Sequence, residues 1–140
     1  MRVVDASIVV KWHIADEIDA QAAQTLRRTH GRFAVPDLLF VEAATVVWKN
    51  VRRGLMSLDR ATQVTDLIAD GPFVIYDNQS LVRDAVEIAI ARDITPYDAS
   101  YIALAISLGT DCVTADRKLF GKLQGSPLGR HVTLLADYVH

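Results

Sequence analysis

Residues 2–12 read RVVDASIVVKW, and this stretch indicates the fold class. Residues 2–4, with the apolar pair Val3-Val4, are typical of a short buried strand. Ser7 is a residue type that favours the helix N-cap, and the sequence after it predicts a short helix through His13. A strand that leads directly into a helix is typical of α/β proteins, in which helices connect parallel strands. Asp5 lies at the junction between the two elements.

The same alternation of strands and helices continues along the rest of the sequence. Further strands are predicted at residues 32–35, 73–76, 111–114 and 132–135. Helices are predicted at residues 16–29, 38–53, 57–69, 80–92, 95–108 and 116–123. No repeat, low-complexity run or Gly/Ser/Pro-rich linker divides the chain. The sequence therefore predicts a single α/β domain over residues 1–140, with a mainly parallel sheet.

Several boundaries are set by residues with strong positional preferences. Pro36 should end the second strand, and Asp37 and Thr95 should cap the helices that follow them. Gly54 and Gly109 are expected where helices end, because a helix commonly ends on a glycine in the left-handed conformation.

Composition and charge restrict the class of protein. The 51% hydrophobic and 23% charged residues are typical of a soluble globular chain, and the one cysteine cannot form an intramolecular disulfide. The longest apolar stretch, residues 33–48, is interrupted by Pro36, Asp37 and Glu42, which argues against a membrane helix. We therefore expect a cytoplasmic protein. A net charge of −2 gives no general affinity for nucleic acid, so any such affinity must come from local patches or from bound metal.

Four acidic residues lie within or next to strongly apolar segments. Asp5 follows Val3-Val4, Glu42 interrupts LLFVEAATVVW, Asp98 stands in YDASYIALAI, and Asp116 follows CVTA. A buried carboxylate without a partner costs several kcal/mol, so residues of this kind need a compensating group. Ligands of open parallel sheets bind beyond the carboxyl ends of the strands, where these four residues could converge. A hard divalent cation held by carboxylates would compensate their charge and activate a water for phosphodiester hydrolysis.

Each acid taken singly also has a purely structural explanation. Asp5 could be a turn residue, Asp116 a helix N-cap, and Asp98 the third helical position of a capping box that begins at Thr95. Glu42 lies too far into its helix to cap it, and its structural explanation is a buried ion pair with an arginine. One carboxylate cluster accounts for all four residues at once.

Other polar residues could support such a cluster. Ser7 and Thr114 could each orient a carboxylate or a water, although Ser7 could equally cap its helix. Arg117 and Lys118 adjoin Asp116 and are the best candidates for binding substrate phosphates. Further basic candidates are Lys11, Lys49, Arg52 and Arg53. The histidines show no metal-binding spacing and receive no role: His13, His30, His131 and His140.

The four acidic segments together resemble the PIN-domain ribonucleases, with a pattern similar to the VapC toxins of toxin–antitoxin pairs. The segments are VVDASIVVKW, PDLLFVEAATVVWK, ITPYDASYIALA and CVTADRKL, and the resemblance spans essentially the whole chain. It implies a three-layer α/β/α sandwich with a parallel sheet of about five strands. It also implies endonucleolytic RNA cleavage with Mg²⁺ or Mn²⁺, a homodimer, and inhibition by a VapB-like antitoxin. Helices beginning at residues 16 and 57 are candidate walls for a groove that accepts an antitoxin segment.

By motif match, Asp5, Glu42, Asp98 and Asp116 take the acidic metal-binding positions, and Thr114 takes the position of a supporting hydroxyl. We expect Asp5 and Asp98 to be the main metal ligands, with Glu42 and Asp116 ligating directly or through water. Two departures stand out. Thr45 replaces an asparagine common three residues after the glutamate, and Asp116 is followed by Arg117-Lys118-Leu119 where some relatives have a further acid, which favours one firmly bound ion over two.

The sequence argues against two other classes of protein. A non-catalytic RNA- or protein-binding PIN domain would usually lack one or more of the acids, and all four are present. An aspartate-based phosphotransfer domain would place a second aspartate where Ser7 stands, or paired acids after the first strand and a lysine after the last. The sequence has neither feature.

Overall fold

A computed structural model describes residues 1–14 and 19–138, and five strands in this part form one sheet. The strand order is β3-β2-β1-β4-β5, and all four strand pairs are parallel. The strands are β1 (Val3–Val4), β2 (Phe33–Pro36), β3 (Phe73–Tyr76), β4 (Cys112–Thr114) and β5 (Val132–Leu134). Pro36 is the last residue of β2, so it belongs to the strand that it was predicted to end. The predicted five-stranded parallel sheet is confirmed.

Seven α-helices lie in the described residues and cover the sheet. They are α1 (Ala6–His13), α2 (Ala20–Thr29), α3 (Leu38–Arg52), α4 (Leu58–Ala69), α5 (Val82–Arg92), α6 (Pro96–Ser107) and α7 (Arg117–Leu123). Part of the helix predicted from residue 16 falls on residues 15–18, outside the described residues. Successive residues of β1, and of β4 from Cys112 to Val113, are fully buried. Because neighbouring strand residues point to opposite faces, both faces are covered, as in a three-layer α/β/α sandwich.

Asp5, rather than Ser7, caps helix α1. The strand ends at Val4 and the helix begins at Ala6, so a single residue makes the turn. Asp5 has extended backbone angles, and its Oδ1 accepts a hydrogen bond from the Ile8 amide at 3.4 Å. Ser7 already lies inside the first turn of the helix, so the prediction that it caps α1 is wrong.

Asp37 occupies the N-cap position of α3 without capping it through its side chain. Its backbone is helical, whereas a capping side chain needs extended backbone angles to reach the first free amides. Asn78 Oδ1 accepts the Leu38 amide at 2.9 Å instead, and Asp37 Oδ1 accepts the Asn78 amide at 3.1 Å. This exchange joins the start of α3 to the segment after β3.

Most of the remaining predicted helix boundaries agree with the structure to within one residue, whereas α5 begins two residues after its predicted start. Ser57 Oγ accepts the Arg60 amide at the start of α4, and Thr95 Oγ1 accepts the Asp98 amide at the start of α6, each at 3.1 Å. Gly54 and Gly109 follow α3 and α6 with φ of 71° and 65°, the left-handed region that glycine favours. None of the described helices is long and apolar enough to cross a membrane.

An ion pair joins the start of β1 to β4. The Arg2 guanidinium donates to both carboxylate oxygens of Asp111, at 2.9 and 2.5 Å, and Thr133 on β5 also donates to Asp111. Burial alone would raise the pKa of Asp111, but these hydrogen bonds and the positive charge of Arg2 hold it below its usual value. The first strand is thereby fixed beside the fourth at the opposite edge from Asp5.

Candidate active site

Asp5 is the most rigidly held of the four acids. Its side chain is 6% exposed. Ser7 Oγ donates to Asp5 Oδ1 at 2.5 Å, and Thr114 Oγ1 donates to Asp5 Oδ2. The two hydroxyls also accept backbone amides beyond β4: Ser7 from Ala115 at 3.0 Å and Thr114 from Asp116 at 3.1 Å. Ser7 and Thr114 therefore hold Asp5 and tie the ends of β1 and β4 together.

The protein groups around Asp5 disfavour the ionised form of its carboxyl group. The pKa of Asp5 is raised to about 6, mainly by burial and also by the negative charge of the nearby Asp98 carboxylate. The hydrogen bonds from Ser7 and Thr114 lower the pKa, but they do not offset the burial. A cation beside this carboxylate would lower its pKa, because a positive charge favours the ionised form.

Asp116 caps helix α7 and is exposed. Its Oδ1 accepts the amides of Lys118 and Leu119, each at 3.0 Å, so the capping role considered from the sequence is confirmed. Its expected burial is wrong, because the apolar residues before it belong to β4 whereas Asp116 lies beyond the end of that strand. Capping occupies one carboxylate oxygen and is compatible with a second role.

Asp98 lies in the first turn of α6 and is half-buried. Its pKa is raised, first by burial and then by the negative charge of Asp116. Asp98 and Asp116 line one surface concavity of about 470 Å³, and Lys118 and Lys122 supply positive charge to its wall. Lys118 was predicted to bind phosphate, and Lys122 is a second candidate one turn further along the same helix. Arg117 is exposed at the first position of α7.

Glu42 is half-buried in the second turn of α3, and its hydrogen-bond donor is a tyrosine. The Tyr101 hydroxyl donates to Glu42 Oε1 at 2.7 Å. Burial raises the pKa of Glu42, the Tyr101 hydrogen bond lowers it, and the Asp98 charge raises it. The donor is thus a neutral phenol, where the structural explanation from the sequence expected an arginine.

Tyr101 belongs to this group of side chains but was not predicted from the sequence. It is 1% exposed on α6, and burial together with the Glu42 charge raises the pKa of its hydroxyl well above the usual value. The available signal was its position three residues after Asp98, since residues three apart share a helix face. A buried tyrosine hydroxyl also needs a hydrogen-bond partner, and a nearby carboxylate is a suitable acceptor.

The four acids are electrostatically linked through Asp98. Its negative charge raises the pKa of Asp5 and of Glu42, and the charge of Asp116 in turn raises the pKa of Asp98. In residues 1–14 and 19–138, no three Asp, Glu, His or Cys side chains lie close enough to form a ready-made metal site. The acids therefore gather at one edge of the sheet without forming a closed cage.

The chemistry of this donor set fits Mg²⁺ or Mn²⁺. The available donors are carboxylate oxygens, which hard divalent cations prefer, and Asp5 is already oriented by hydroxyl donors. Mutual repulsion keeps carboxylates apart when no cation lies between them. The arrangement suits an ion bound by a few carboxylates and several waters better than a cage made entirely of protein ligands.

The chain is similar to several known proteins. The sequence pattern of the PIN domain matches residues 2–125. Ribonuclease VapC3 of Pyrobaculum aerophilum is 30% identical over 122 residues, which cover 86% of this chain and 92% of that protein. Exonuclease VapC9 of the same organism is 30% identical over 95 residues, or 68% of this chain and 70% of that protein.

A solved structure shares the same fold. It is a toxin–antitoxin complex from Klebsiella pneumoniae, which superimposes with a TM-score of 0.66 at 15% identity, over 96% of this chain and 98% of that one. A likeness at this level of identity establishes the fold alone.

Proposed function

The chain belongs to the PIN-domain family, in its VapC group, and from that premise we propose that it is a metal-dependent endoribonuclease, the toxin of a toxin–antitoxin pair. The observation that carries the proposal is the group of acids linked through Asp98, with Asp5 held between two hydroxyls. The names of both curated relatives describe nucleases, which favours phosphodiester hydrolysis over phosphotransfer. We propose that the protein cleaves RNA within the chain and not from its ends.

In this proposal Asp5 and Asp98 would hold the divalent ion, and Glu42 and Asp116 would ligate it directly or through water. When bound, Mg²⁺ or Mn²⁺ lowers the pKa of a water and stabilises negative charge on the phosphoryl oxygens. The oxygen-only donors and their mutual repulsion support a cation at this place.

The residues of the chain position the acids and receive the substrate. Ser7 and Thr114 fix the rotamer of Asp5, so this carboxylate needs little reorganisation when it binds an ion. The Tyr101 hydroxyl binds Glu42 Oε1, so in this proposal Oε2 would be the oxygen that ligates the ion or its water. Lys118 lines the same concavity as Asp98 and Asp116 and would attract a phosphate to it.

Cleavage of a circular single-stranded RNA tests the proposal, because a circle has no ends for an exonuclease. We expect linear products with Mg²⁺ or Mn²⁺, none with chelator, and a loss of at least about a hundredfold in Asp5→Asn and Asp98→Asn. Asp66→Asn is a matched control, since Asp66 is exposed on α4. Activity that resists chelator, or full activity in both site variants, would refute the mechanism. If only linear RNA were digested, the protein would be an exonuclease and not an endonuclease.

The partner is proposed to be a VapB-like antitoxin, and the protein itself a homodimer. The Klebsiella pneumoniae protein with this fold is described as part of a toxin–antitoxin complex. An apolar depression of about 60 Å³ lies between α3 and α4, lined by residues such as Phe40, Val47 and Ile68. Helix α4, one of the two candidate walls named from the sequence, lines this depression together with α3. Co-expression with the neighbouring gene, followed by light scattering of the purified material, tests both associations.

A further inference from the structure

An exposed aromatic and basic surface lies on the C-terminal half of α3. Trp48, Lys49, Arg52 and Arg53, here called the α3 strip, line a surface depression of about 300 Å³. All four residues are exposed, and the Trp48 side chain is 54% exposed although indole is mostly buried in folded proteins. The Arg52 guanidinium lies 4.8 Å from the centre of the Trp48 ring, which orients the ring by a cation–π contact.

The α3 strip is continuous with the candidate active site. A second depression of about 400 Å³ is lined by Glu42, Thr45, Lys49 and Tyr97, so Lys49 belongs to both depressions. Tyr97 is 63% exposed and directly precedes Asp98. Lys49 follows Glu42 by two helical turns, a rise of about 10 Å, and Arg53 lies about 16 Å along the helix axis. The strip therefore starts at the acids and leads away from them.

Local helix electrostatics account for only part of this surface. Basic residues are favoured in the last turn of a helix, because they complement the negative end of the helix dipole, and this explains cations near the end of α3. The dipole does not explain an exposed indole among them. The chain as a whole has a net charge of −2, yet the α3 strip carries three positive charges next to the acidic site. Cations combined with an accessible aromatic ring are the features that bind single-stranded nucleic acid.

We propose that the α3 strip binds the single-stranded flank of the RNA substrate, with Trp48 stacked on a base and Lys49, Arg52 and Arg53 holding phosphates. The inference rests on the proposed function, since it specifies the RNA that reaches the acids. Arg52 covers one face of the indole, and the exposed remainder of the ring is available to a base. A duplex cannot use this platform, because its bases are already stacked and paired. The cations offset the repulsion between the acids and the RNA backbone.

Binding of a short fluorescent RNA, measured by anisotropy in chelator, tests the proposal without cleavage. A gel of the recovered RNA verifies that it is intact. We expect Trp48→Ala to weaken binding of a single strand by about fivefold or more, and Trp48→Tyr to retain most of it. We expect Arg52→Ala and Arg53→Ala each to reduce the slope of log affinity against log salt by about 0.7. Arg83→Ala, on the exposed face of α5, is the matched control and should change neither quantity.

Intrinsic fluorescence gives a second readout of the same contact. The chain has two tryptophans, and Trp12 is 6% exposed, so quenching by RNA reports mainly on Trp48. We expect quenching by a single strand, a much smaller effect with a duplex of the same sequence, and no quenching in Trp48→Tyr.

Three results would overturn the assignment: unchanged RNA affinity in the strip variants, equal binding of duplex and single strand, or loss of a co-purified protein partner with RNA affinity intact. The last result would make the strip a protein interface. A protein that cleaves no RNA with any divalent metal, yet binds single strands through the strip, would refute the proposed function and support the binding surface.

Discussion

Replacing Asp5 by asparagine should stabilise the metal-free protein near neutral pH while it removes nuclease activity. The carboxylate is buried, and its pKa is raised from 3.8 to about 6. A raised pKa means that the folded state binds the proton more tightly than the unfolded state does. The stability that this proton provides is fully present below about pH 4 and is lost as the pH rises through about 6. Above that pH the folded protein bears the full cost of a buried charge.

The size of the effect follows from the two pKa values. From 3.8 to about 6 is a change in proton affinity of roughly 150-fold, or about 3 kcal/mol in the free energy of unfolding. Asparagine removes this cost, but its amide cannot accept both hydroxyl hydrogen bonds that Asp5 accepts, which costs about 1 kcal/mol. Asparagine is as good an N-cap as aspartate, so α1 should not be affected. The net gain is about 1–2 kcal/mol, or roughly 3–8 °C in melting temperature for a domain of this size.

Thermal unfolding in chelator at about pH 7.5 and about pH 4 provides the assay. The variant should melt higher than the parent at about pH 7.5 and lose that advantage at about pH 4, where Asp5 is mostly protonated in the folded parent. Adding Mn²⁺ at the higher pH should raise the melting temperature of the parent and leave the variant nearly unchanged. Asp66→Asn, on the surface of α4, should follow the parent in every condition.

A variant that melts lower than the parent in chelator at about pH 7.5 would refute the reasoning. That result would mean that the hydroxyl donors stabilise the Asp5 charge more than burial destabilises it. An equal Mn²⁺ response in parent and variant would place the ion away from Asp5.

Three further substitutions separate positioning from stability. Tyr101→Phe removes the hydroxyl that holds Glu42. It should reduce RNA cleavage about tenfold and raise the Mn²⁺ concentration that gives half-maximal activity. The free energy of unfolding should change by only about 1 kcal/mol. Thr114→Val deprives Asp5 of a buried donor and should reduce cleavage by a similar factor, while Thr114→Ser should retain activity in the same assay. Arg2→Met breaks the ion pair between β1 and β4 and should destabilise the protein by about 1–3 kcal/mol, with cleavage retained at temperatures where the variant is folded.

Most strand and helix boundaries were predictable from sequence to within one residue because local chemistry decides them. Thr95 and Ser57 cap helices through bonds to amides three residues away, and the same local rule applies wherever they occur. Ser7 was misassigned as a cap because helix α1 begins two residues earlier than the pattern suggested. Its contact with Asp5 was nevertheless among the predicted roles.

Contacts between distant elements could not be predicted from the sequence. The hydrogen bond between Tyr101 and Glu42 joins helices α6 and α3, and no periodicity in either helix indicates which residue of the other it meets. The exposure of Asp116 is a related case, because apolar neighbours in the sequence do not show on which side of the strand end a residue lies. Both depend on how the helices pack on the sheet. The four acids themselves were predictable only as candidates, and their link through Asp98 required the fold.

The pairing of β1 with β4 has a consequence for protein synthesis. Asp5 is made before its acidic neighbours Asp98 and Asp116 and 109 residues before its hydroxyl donor Thr114. At translation rates of about 5–20 residues per second, roughly 6–20 s separate Asp5 from Asp116. Throughout that interval the nascent chain has no complete site. If the four acids form the active site as proposed, we expect a nascent chain, or an incomplete chain released before residue 116, to have no nuclease activity.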